Sequence, residues 1–440
     1  MATPPTKEWT LKAGEEFRFE VGFKDTVEVR LKSGKAEYFG AELAPEAKYA
    51  FSGDNGAIFS WQGCTLSVQG QCQSAYVAGE TPMDSYINVH MALQQLRVQA
   101  HNGDLSAAPR VMIVGPEDSG KTSLARLLVN YAVRMGERPL FVDLDPSLGS
   151  VTVPGTVSAT AMGKTVDPES GFMGCAASSS DGVSDVPLVL QFGHEQPDDN
   201  TMLFKILVDR LAASIDARMS ADNFAAGSGL VVDTRGFTDV NKYDTIEHAV
   251  AALRITALLV VGNERMYSIF STRLQTQARP VTVLRLTKSG GTVDRNSAYR
   301  RQLNDCIIRQ YFNGTAKEPL ASFPAVVNFQ DVTILRVGED VRAPSSTLPL
   351  GEIRKLTETT VFTVEPDEAL SHSVLAVTDA QPPVDGEDDS DGVVGVQALG
   401  FVNVTKVDME KKRFTMSSPV PGRLPKKVLV YGHIKWMETL

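Results

Sequence analysis

The segment Gly115–Thr122 reads GPEDSGKT and matches the pattern G-x-x-x-x-G-K-[ST] of a phosphate-binding P-loop. In such a loop the glycines let backbone N–H groups curl around phosphate oxygens, the lysine brings a positive charge to them, and the final hydroxyl reaches a Mg²⁺ ion. The apolar run Arg110–Val114 comes just before the motif and predicts a buried strand, and Leu124, Leu127 and Leu128 after it have helical spacing. Because a P-loop joins a strand to a helix, this context favours a phosphate-binding site over a simple glycine turn.

Strand-like and helix-like segments alternate on both sides of this motif. Apolar runs typical of strands occupy Pro139–Asp145, Leu188–Phe192, Gly229–Asp233, Ala257–Val261 and Val281–Leu286, and helical patterns occupy Lys121–Met135, Leu203–Ala213 and Thr245–Arg254. This alternation predicts a parallel sheet with crossover helices.

The two ends of the chain have a hydrophobic pattern typical of strands. From Trp9 to about Asn88, short alternating segments such as EFRFEVGF are separated by glycine turns, which predicts an antiparallel β-sandwich. A helical pattern over Tyr86–His101 bridges to the P-loop domain, and strand-like segments return after Gly314. The predicted fold class is therefore α/β: a central P-loop domain with a parallel sheet, an N-terminal β-sandwich and a C-terminal β-rich (α+β) domain. The predicted domain ranges are 1–100, 101–313 and 314–440.

Composition narrows the class of protein. The 440 residues are 42% hydrophobic and 22% charged, with a net charge of −10, which argues against a general electrostatic surface for nucleic acid or membranes. The four cysteines show no C-x-x-C spacing, so a zinc or disulfide framework is not expected. No apolar run reaches the length of a signal peptide or a membrane span, and we expect no membrane partner.

A P-loop needs a carboxylate near its metal ion, normally at the end of a neighbouring strand. Asp143 and Asp145 end the strand after the P-loop helix, and Asp233 ends the segment GLVVD. Each could equally be a strand-end aspartate that makes a turn, and position in the sequence does not separate the three.

Arginines form a second candidate feature, in the segment Gly290–Arg301, which reads GGTVDRNSAYRR. Arg295 and Arg300 are five residues apart, which is off the spacing of one helix face, but Arg295 could lie at the helix entrance and still converge with Arg300 on an anion. Mobile arginines over a P-loop can neutralise a transferring phosphoryl group, whereas a solvated basic face is the plainer interpretation of the segment alone.

With these residues in view, the chain resembles the eukaryotic polynucleotide 5′-hydroxyl kinase family and, within it, the nuclear subunit of the pre-mRNA cleavage and polyadenylation factor in its fungal form. The similarity covers almost the whole chain. The segments that carry it are EEFRFE (15–20), TPM (81–83), YINVH (86–90), GPEDSGKTS (115–123), LDP (144–146), SVTVPGT (150–156), SGGTVDR with the following YRR (289–301), IIRQYFNG (307–314) and LPKK (424–427).

The resemblance implies a site that holds ATP and Mg²⁺. Phosphate and metal contacts carry over to Gly115 and the run Asp118–Ser123, which comprises Asp118, Ser119, Gly120, Lys121, Thr122 and Ser123. Glu16 corresponds to a contact at the adenine end, and Asn55 stands where the family often has a lysine near the base. The family favours Asp145 as the metal-linked acid, alongside Thr122, and as the base of active kinases. Arg295 and Arg300 become the phosphate-facing pair of a lid.

Two departures from the family pattern bear on activity. Active members have D-x-G-Q-G after the second strand, and this chain has Leu148 in place of the glutamine; they also have T-x-G-W, and this chain has Phe237 in place of the tryptophan. Leucine cannot hydrogen-bond to phosphate, and phenylalanine stacks on a base with less area. Since phosphoryl transfer depends on positioning, these losses favour nucleotide binding with little or no kinase activity.

The leading expectation is a non-enzymatic ATP–Mg²⁺-binding scaffold subunit of the nuclear machinery that cleaves and polyadenylates pre-mRNA. The resemblance implies, as partners, the large scaffold subunit that binds the RNA polymerase II tail and other cleavage and polyadenylation subunits, with RNA met mainly through the complex. An active ATP-dependent RNA 5′-hydroxyl kinase, with Asp145, Arg295 and Arg300 as catalytic residues, is the alternative, and an ATPase switch is a weaker one.

Overall fold

The structure is a computed structural model that describes residues 6–174, 186–236, 242–276, 279–315, 317–338, 359–381, 392–424 and 426–438. Its helices are α1 (Met83–His101), α2 (Lys121–Arg134), α3 (Thr201–Ala221), α4 (Asn223–Ser228), α5 (Tyr243–Ala252), α6 (Glu264–Gln275) and α7 (Ser297–Asn313). The strands of the N-terminal part are β1 (Thr6–Leu11), β2 (Glu15–Glu20), β3 (Val27–Gly34), β4 (Glu37–Tyr38), β5 (Ala41–Glu42), β6 (Lys48–Phe51), β7 (Asn55–Ser60), β8 (Cys64–Gln69) and β9 (Ser74–Ala78).

The later strands are β10 (Arg110–Val114), β11 (Leu140–Leu144), β12 (Thr156–Ala161), β13 (Leu188–Gln191), β14 (Leu230–Thr234), β15 (Ala257–Val261), β16 (Thr282–Leu286), β17 (Phe323–Asn328), β18 (Thr333–Val337), β19 (Val361–Thr363), β20 (Ser373–Thr378), β21 (Ala398–Asp408), β22 (Arg413–Ser418) and β23 (Val428–Lys435). The chain divides into two compact units. The first comprises Met1–Leu144, Ala159–Pro187 and Ile215–Leu303, and the second Asp145–Ser158, Leu188–Ser214 and Asn304–Leu440. The ranges 1–100, 101–313 and 314–440 stay predictions of the domain boundaries.

The N-terminal part of the first unit is a β-sandwich. One sheet has the strand order β1-β8-β3-β6 and the other β5-β4-β7-β2-β9, with antiparallel pairing throughout. Alternating apolar residues, including Phe17, Phe19, Val29 and Leu66, fill the space between the sheets. This burial of one face per strand is what the period-two pattern predicted.

The same unit holds five neighbouring strands of a sheet, which pair in parallel in the order β11-β14-β10-β15-β16. The P-loop strand β10 lies inside it, between β14 and β15. Both neighbours, like β10, are runs of buried Val, Leu and Ile, as expected for strands covered on both faces. The P-loop therefore emerges from an interior strand at the sheet's carboxyl edge, where ligands bind in open α/β sheets.

A buried polar cluster anchors the bridging helix α1. The Glu137 carboxylate accepts hydrogen bonds from Gln94 Nε2 at 2.8 Å and Ser228 Oγ at 2.9 Å, and lies 2.8 Å from His101 Nε2. Arg97, only 1% exposed, donates from Nε to the Ser228 carbonyl at 3.0 Å. This cluster joins α1 to the loop after α2 and to α4.

His90, also on α1, is 3% exposed and packs 5.2 Å from the Tyr131 ring centroid. Burial, reinforced by Arg97 and Arg134, lowers the pKa of His90 from 6.5 to about 4. As the pH falls, His90 of the unfolded chain is therefore protonated before His90 of the folded chain. The folded state keeps its full stability with respect to this group above pH 6.5 and loses stability as the pH falls towards 4.

We expect acidification from about pH 7 to about pH 5 to cost the wild-type chain about 2 kcal/mol through His90 alone. His90→Leu has no imidazole to protonate. Between the same two pH values, its free energy of unfolding should therefore fall by about 2 kcal/mol less than that of the wild type. Urea unfolding at the two pH values measures the difference. An equal loss in both proteins would contradict the assignment.

The second unit contains a seven-stranded sheet with the order β17-β22-β21-β20-β23-β18-β19, in which β18 and β23 pair in parallel. Residues of β20 alternate between two cores, with Val374 and Ala376 on one face and Leu375 and Val377 on the other. The first core also takes in Phe312 and Trp436, whose rings stack 5.4 Å apart.

The predicted fold class is confirmed: a P-loop domain on a parallel sheet, an N-terminal β-sandwich and a C-terminal β-rich part are all present. Helices and strands of the P-loop domain fall within one to two residues of the predicted limits at most ends, although α3 extends to Ala221. Within the described ranges, no helix is both long enough and apolar enough to cross a bilayer.

Candidate functional site

The P-loop lies between β10 and α2, and its backbone allows close approach at both ends. A Cβ atom on Gly115 would come within 2.6 Å of the Val261 carbonyl, so only glycine lets β10 leave the sheet this close to β15. Gly120 has φ +87°, a left-handed conformation that glycine adopts without strain, and it forms the N-cap of α2. The backbone N–H groups of the loop and of the first turn of α2 therefore present a cradle for an anion.

The polar side chains of the loop are folded inward. Lys121 is 6% exposed and donates from Nζ to the Pro116 carbonyl at 2.6 Å, and the Ser119 hydroxyl donates to the same carbonyl at 2.9 Å. A lysine beside a backbone carbonyl at the loop's centre can reach phosphate oxygens in the cradle by a small side-chain movement. Ser123 follows in the first turn of α2.

Of the three candidate carboxylates, Asp233 contacts the P-loop directly. Thr122 Oγ1 donates to Asp233 Oδ2 at 2.6 Å, and Asp233 Oδ1 accepts from the Thr234 N–H at 3.0 Å. Asp143 lies beside Asp233 in the register of β11 and β14. Asp145 follows β11 and accepts from the Ser147 N–H at 3.0 Å and from its hydroxyl at 2.6 Å. The role of Asp145 at a metal stays a prediction, and Thr122 and Asp233 are joined by a hydrogen bond.

The arginine segment Gly290–Arg301, called the lid from here on, contacts the P-loop. The Arg295 N–H donates to Asp118 Oδ2 at 2.8 Å, and Arg300 Nη2 donates to the same oxygen at 2.7 Å and lies 3.3 Å from Glu117 Oε2. Asp118 has φ +52°, which is unfavourable for a non-glycine residue, and these two hydrogen bonds help to hold it there. Residue 295 lies two positions before α7, at the helix entrance as the sequence allowed. Its main-chain N–H and the Arg300 guanidinium share one acceptor, whereas the Arg295 guanidinium lies over the Tyr299 ring, and the phosphate-facing role of the pair stays a prediction.

Strand β2 of the β-sandwich also contacts the lid. Arg18 forms an ion pair with Glu16, donates to the Glu80 carbonyl at 2.9 Å, and packs so closely on the lid that a Cβ on Gly291 would lie 2.7 Å from its Nε. Burial raises the pKa of the Glu16 carboxyl, partly offset by Arg18. Asn55 begins β7 and pairs with Glu20 of β2.

Arg18 is a functional candidate that sequence reasoning missed. Glu16 and Arg18 are two residues apart on a strand, so both project from the same face, opposite Phe17 and Phe19. That spacing was the available signal, since two charged residues on a buried strand need partners.

The structure thus brings together most of the predicted residues. The P-loop residues Gly115, Asp118, Ser119, Gly120, Lys121, Thr122 and Ser123 lie with Arg295 and Arg300 in one compact unit, together with Glu16 and Asn55. Phe237 lies outside the described residues.

The donor set fits phosphate groups and a hard divalent cation. The cradle offers N–H groups and Lys121 to anions, and Thr122 with Asp233 offers oxygen ligands of the kind Mg²⁺ prefers. Among the described residues, no group of three or more His, Cys, Asp or Glu side chains is placed to hold a metal.

Family comparisons cover all three parts of the chain. The family described as the mRNA cleavage and polyadenylation factor CLP1 P-loop matches residues 115–314, the N-terminal beta-sandwich domain of polyadenylation factor matches 10–100, and the pre-mRNA cleavage complex II protein Clp1 matches 320–438.

Individual relatives agree with these matches. The chain is 40% identical over 439 residues to the mRNA cleavage and polyadenylation factor clp1 of Botryotinia fuckeliana (strain B05.10), covering 98% of this chain and 93% of the relative. It is 38% identical over 431 residues to a Gallus gallus protein named polyribonucleotide 5′-hydroxyl-kinase Clp1, covering 97% and 96%.

Two solved structures share the fold. One, of the extended interface between Pcf11p and Clp1p and the basis of ATP loss in a point mutant, has a TM-score of 0.87 at 24% identity and covers 99% of this chain and 100% of that one. The other, a wild-type Clp1p–Pcf11p complex, has a TM-score of 0.86 at 24% identity with full coverage of both. The family resemblance read from the sequence is confirmed: the chain belongs to the CLP1 polynucleotide kinase family of pre-mRNA cleavage factor subunits.

Proposed function

We propose that this chain is a nuclear scaffold subunit of the pre-mRNA cleavage factor that holds ATP and Mg²⁺ as a structural ligand and is required for cleavage and polyadenylation in mRNA 3′-end formation. The observation that carries the proposal is the docking of the lid onto the P-loop, where Asp118 accepts from both the Arg295 N–H and Arg300 Nη2. A ligand enclosed in this way exchanges slowly, which suits a structural role better than rapid turnover.

The P-loop, the lid and the β-sandwich belong to one compact unit, and the lid contacts the other two. The lid meets the P-loop at Asp118 and also at Gly120, where a Cβ would lie 3.2 Å from Thr292 Cγ2. It meets the sandwich where Arg18 packs on Gly291. These contacts support a nucleotide held between the sandwich and the P-loop.

Each residue has a role in the proposal. Lys121, the loop N–H groups and Ser123 bind the phosphates, Thr122 with Asp145 or Asp233 holds Mg²⁺, and Glu16 and Asn55 lie towards the base. When bound, the Mg²⁺ ion neutralises phosphate charge. Arg295 and Arg300 add positive charge above the loop, and Asp118 fixes their position.

The partner assignment rests on relatives. The solved Clp1p structures contain Pcf11p, and we propose that this chain likewise binds the large scaffold subunit of the cleavage factor, the one that contacts the RNA polymerase II tail, together with other cleavage and polyadenylation subunits. The net charge of −10 suits a protein that meets RNA mainly through such partners in the nucleus.

The full-length chain purified without added nucleotide tests the proposal. We expect denaturation to release about one ATP per chain, since an enclosed ligand survives purification. The same preparation should transfer no more labelled phosphate from ATP to a 5′-hydroxyl oligoribonucleotide than a protein-free control. A preparation that contains no nucleotide and binds no ATP would contradict the proposal.

An RNA 5′-hydroxyl kinase is the second candidate. The Arg300 guanidinium contacts the P-loop at Asp118, where a cationic group can stabilise a transferring phosphoryl group, and the Gallus gallus relative is named as such a kinase. Robust transfer that depends on Arg300 would favour this function, and would mean that Leu148 and Phe237 are tolerated.

A further inference from the structure

The first turn of α7 reaches the β-sandwich through one aromatic side chain. Tyr299 donates its hydroxyl to the Gly53 carbonyl at 3.0 Å, and its ring centroid lies 5.0 Å from that of Phe23. Its own N–H donates to the Asn296 side chain at 2.8 Å, which caps the start of the helix. The lid thus has a second attachment to the sandwich, separate from Arg18.

The receiving loop is itself held firmly. The Gly53 N–H donates to the Gly22 carbonyl at 3.2 Å, and the Val21 N–H donates to the Asp54 carbonyl at 2.9 Å. The buried Tyr38 hydroxyl donates to the Asp54 carboxylate. Gly53 has φ +63°, and a Cβ there would lie 2.3 Å from the Phe23 ring, so glycine is needed for this packing. Tyr299 therefore binds a fixed surface rather than a yielding loop.

Tyr299 also contacts the phosphate end of the site. The Arg295 guanidinium lies over its ring at 5.4 Å from the centroid, and the Arg295 N–H binds Asp118 of the P-loop. One ring is therefore clamped between the loop that precedes Asn55 and the arginine above the P-loop. A cation over an aromatic ring loses rotamer freedom, so the position of the ring sets the position of the arginine.

We infer that Tyr299 is a positioning residue that latches the lid to the sandwich and so slows the release of nucleotide; this rests on the proposed function. The latch is made after the ligand enters and is broken before it leaves. Its loss therefore raises the dissociation rate constant and leaves the association rate constant nearly unchanged.

The test uses the full-length chain loaded with a fluorescent ATP analogue and chased with excess ATP. Tyr299→Phe removes one hydroxyl, and we expect it to speed release about three- to tenfold, the effect of one lost hydrogen bond. Phe23→Leu should also speed release. In the double variant, the increase in the release rate should be smaller than the product of the two single increases, because both substitutions act on one contact. Tyr267→Phe, on α6 in the same unit, is the matched control and should release as the wild type does.

Hydrogen exchange of the amides of residues 295–301 gives a second measurement, and exchange should be faster in Tyr299→Phe than in Tyr267→Phe. Release at the wild-type rate in Tyr299→Phe, or an equal change in association and dissociation, overturns the latch. Lys121→Ala distinguishes a failure of the latch from a failure of the proposed function. If Lys121→Ala no longer holds the analogue while Tyr299→Phe releases it at the wild-type rate, the latch alone is wrong. If Lys121→Ala and the wild type handle the analogue alike, the proposed function fails, and the latch fails with it.

Discussion

Replacing Lys121 by alanine is expected to leave the purified chain without nucleotide and to weaken ATP binding by about 100-fold. Lys121 is 6% exposed and its Nζ lies 2.6 Å from the Pro116 carbonyl, at the centre of the loop that presents N–H groups to phosphate. A hydrogen bond to a charged group contributes about 1.5–3 kcal/mol, and a hundredfold change corresponds to about 2.7 kcal/mol.

Titration calorimetry with ATP and Mg²⁺ measures this change, and the nucleotide released on denaturation gives an independent readout. Lys164→Ala removes an exposed lysine of the same unit and should bind ATP as the wild type does. The melting temperature without nucleotide should be similar in the two variants, because the effect lies in binding. Binding of wild-type strength in Lys121→Ala would remove the P-loop as the nucleotide site.

Replacing Glu137 by alanine is expected to destabilise the chain by about 3–5 kcal/mol. Its carboxylate accepts from Gln94 and Ser228 and contacts His101, and it offsets the charge of the buried Arg97. Burial raises the pKa of the Glu137 carboxyl, but the hydrogen bonds from His101, Gln94 and Ser228 outweigh it and leave the pKa below 4.5. Without this group, Arg97 remains buried and uncompensated.

Urea unfolding followed by tryptophan fluorescence measures the change. Glu247→Gln breaks an ion pair of similar length, 2.8 Å from Arg273, but at the surface, and should cost less than about 1 kcal/mol. Because a depressed carboxyl pKa stabilises the fold above the unfolded value, the effect of Glu137→Ala should shrink as the pH falls below about 4.5. Equal costs in the two variants would show that the buried cluster does not hold α1.

Local patterns predicted the P-loop domain well because each element carried its own signal. Arg110–Val114 is an apolar run followed by a glycine turn and helical leucines, and β10 and α2 form there. By contrast, β12 has the sequence TVSATA, and its small and hydroxylated residues give little hydrophobic periodicity, so no strand was predicted there.

The parts that escaped prediction depend on contacts distant in sequence. Asp233 reaches Thr122 because β14 inserts between β10 and β11, and strand order cannot be derived from three similar strand-end aspartates. The packing of Arg18 on Gly291 and the hydrogen bond from Tyr299 to Gly53 both join the lid to the sandwich, between residues more than 200 apart in sequence. Short-range patterns contain no record of such pairings.

The interior position of β10 in its sheet has a consequence for synthesis of the chain. Its two neighbours, β14 and β15, end 120 and 147 residues after the P-loop strand is made, and the lid follows later still. At about 5–20 residues per second, both edges of the P-loop strand stay unpaired during synthesis for roughly 6–24 s, until β14 is made. An apolar strand exposed for that time is a natural substrate for chaperones, and the sandwich is complete long before the site that it covers. Nucleotide capture is therefore a late event in the biogenesis of this protein.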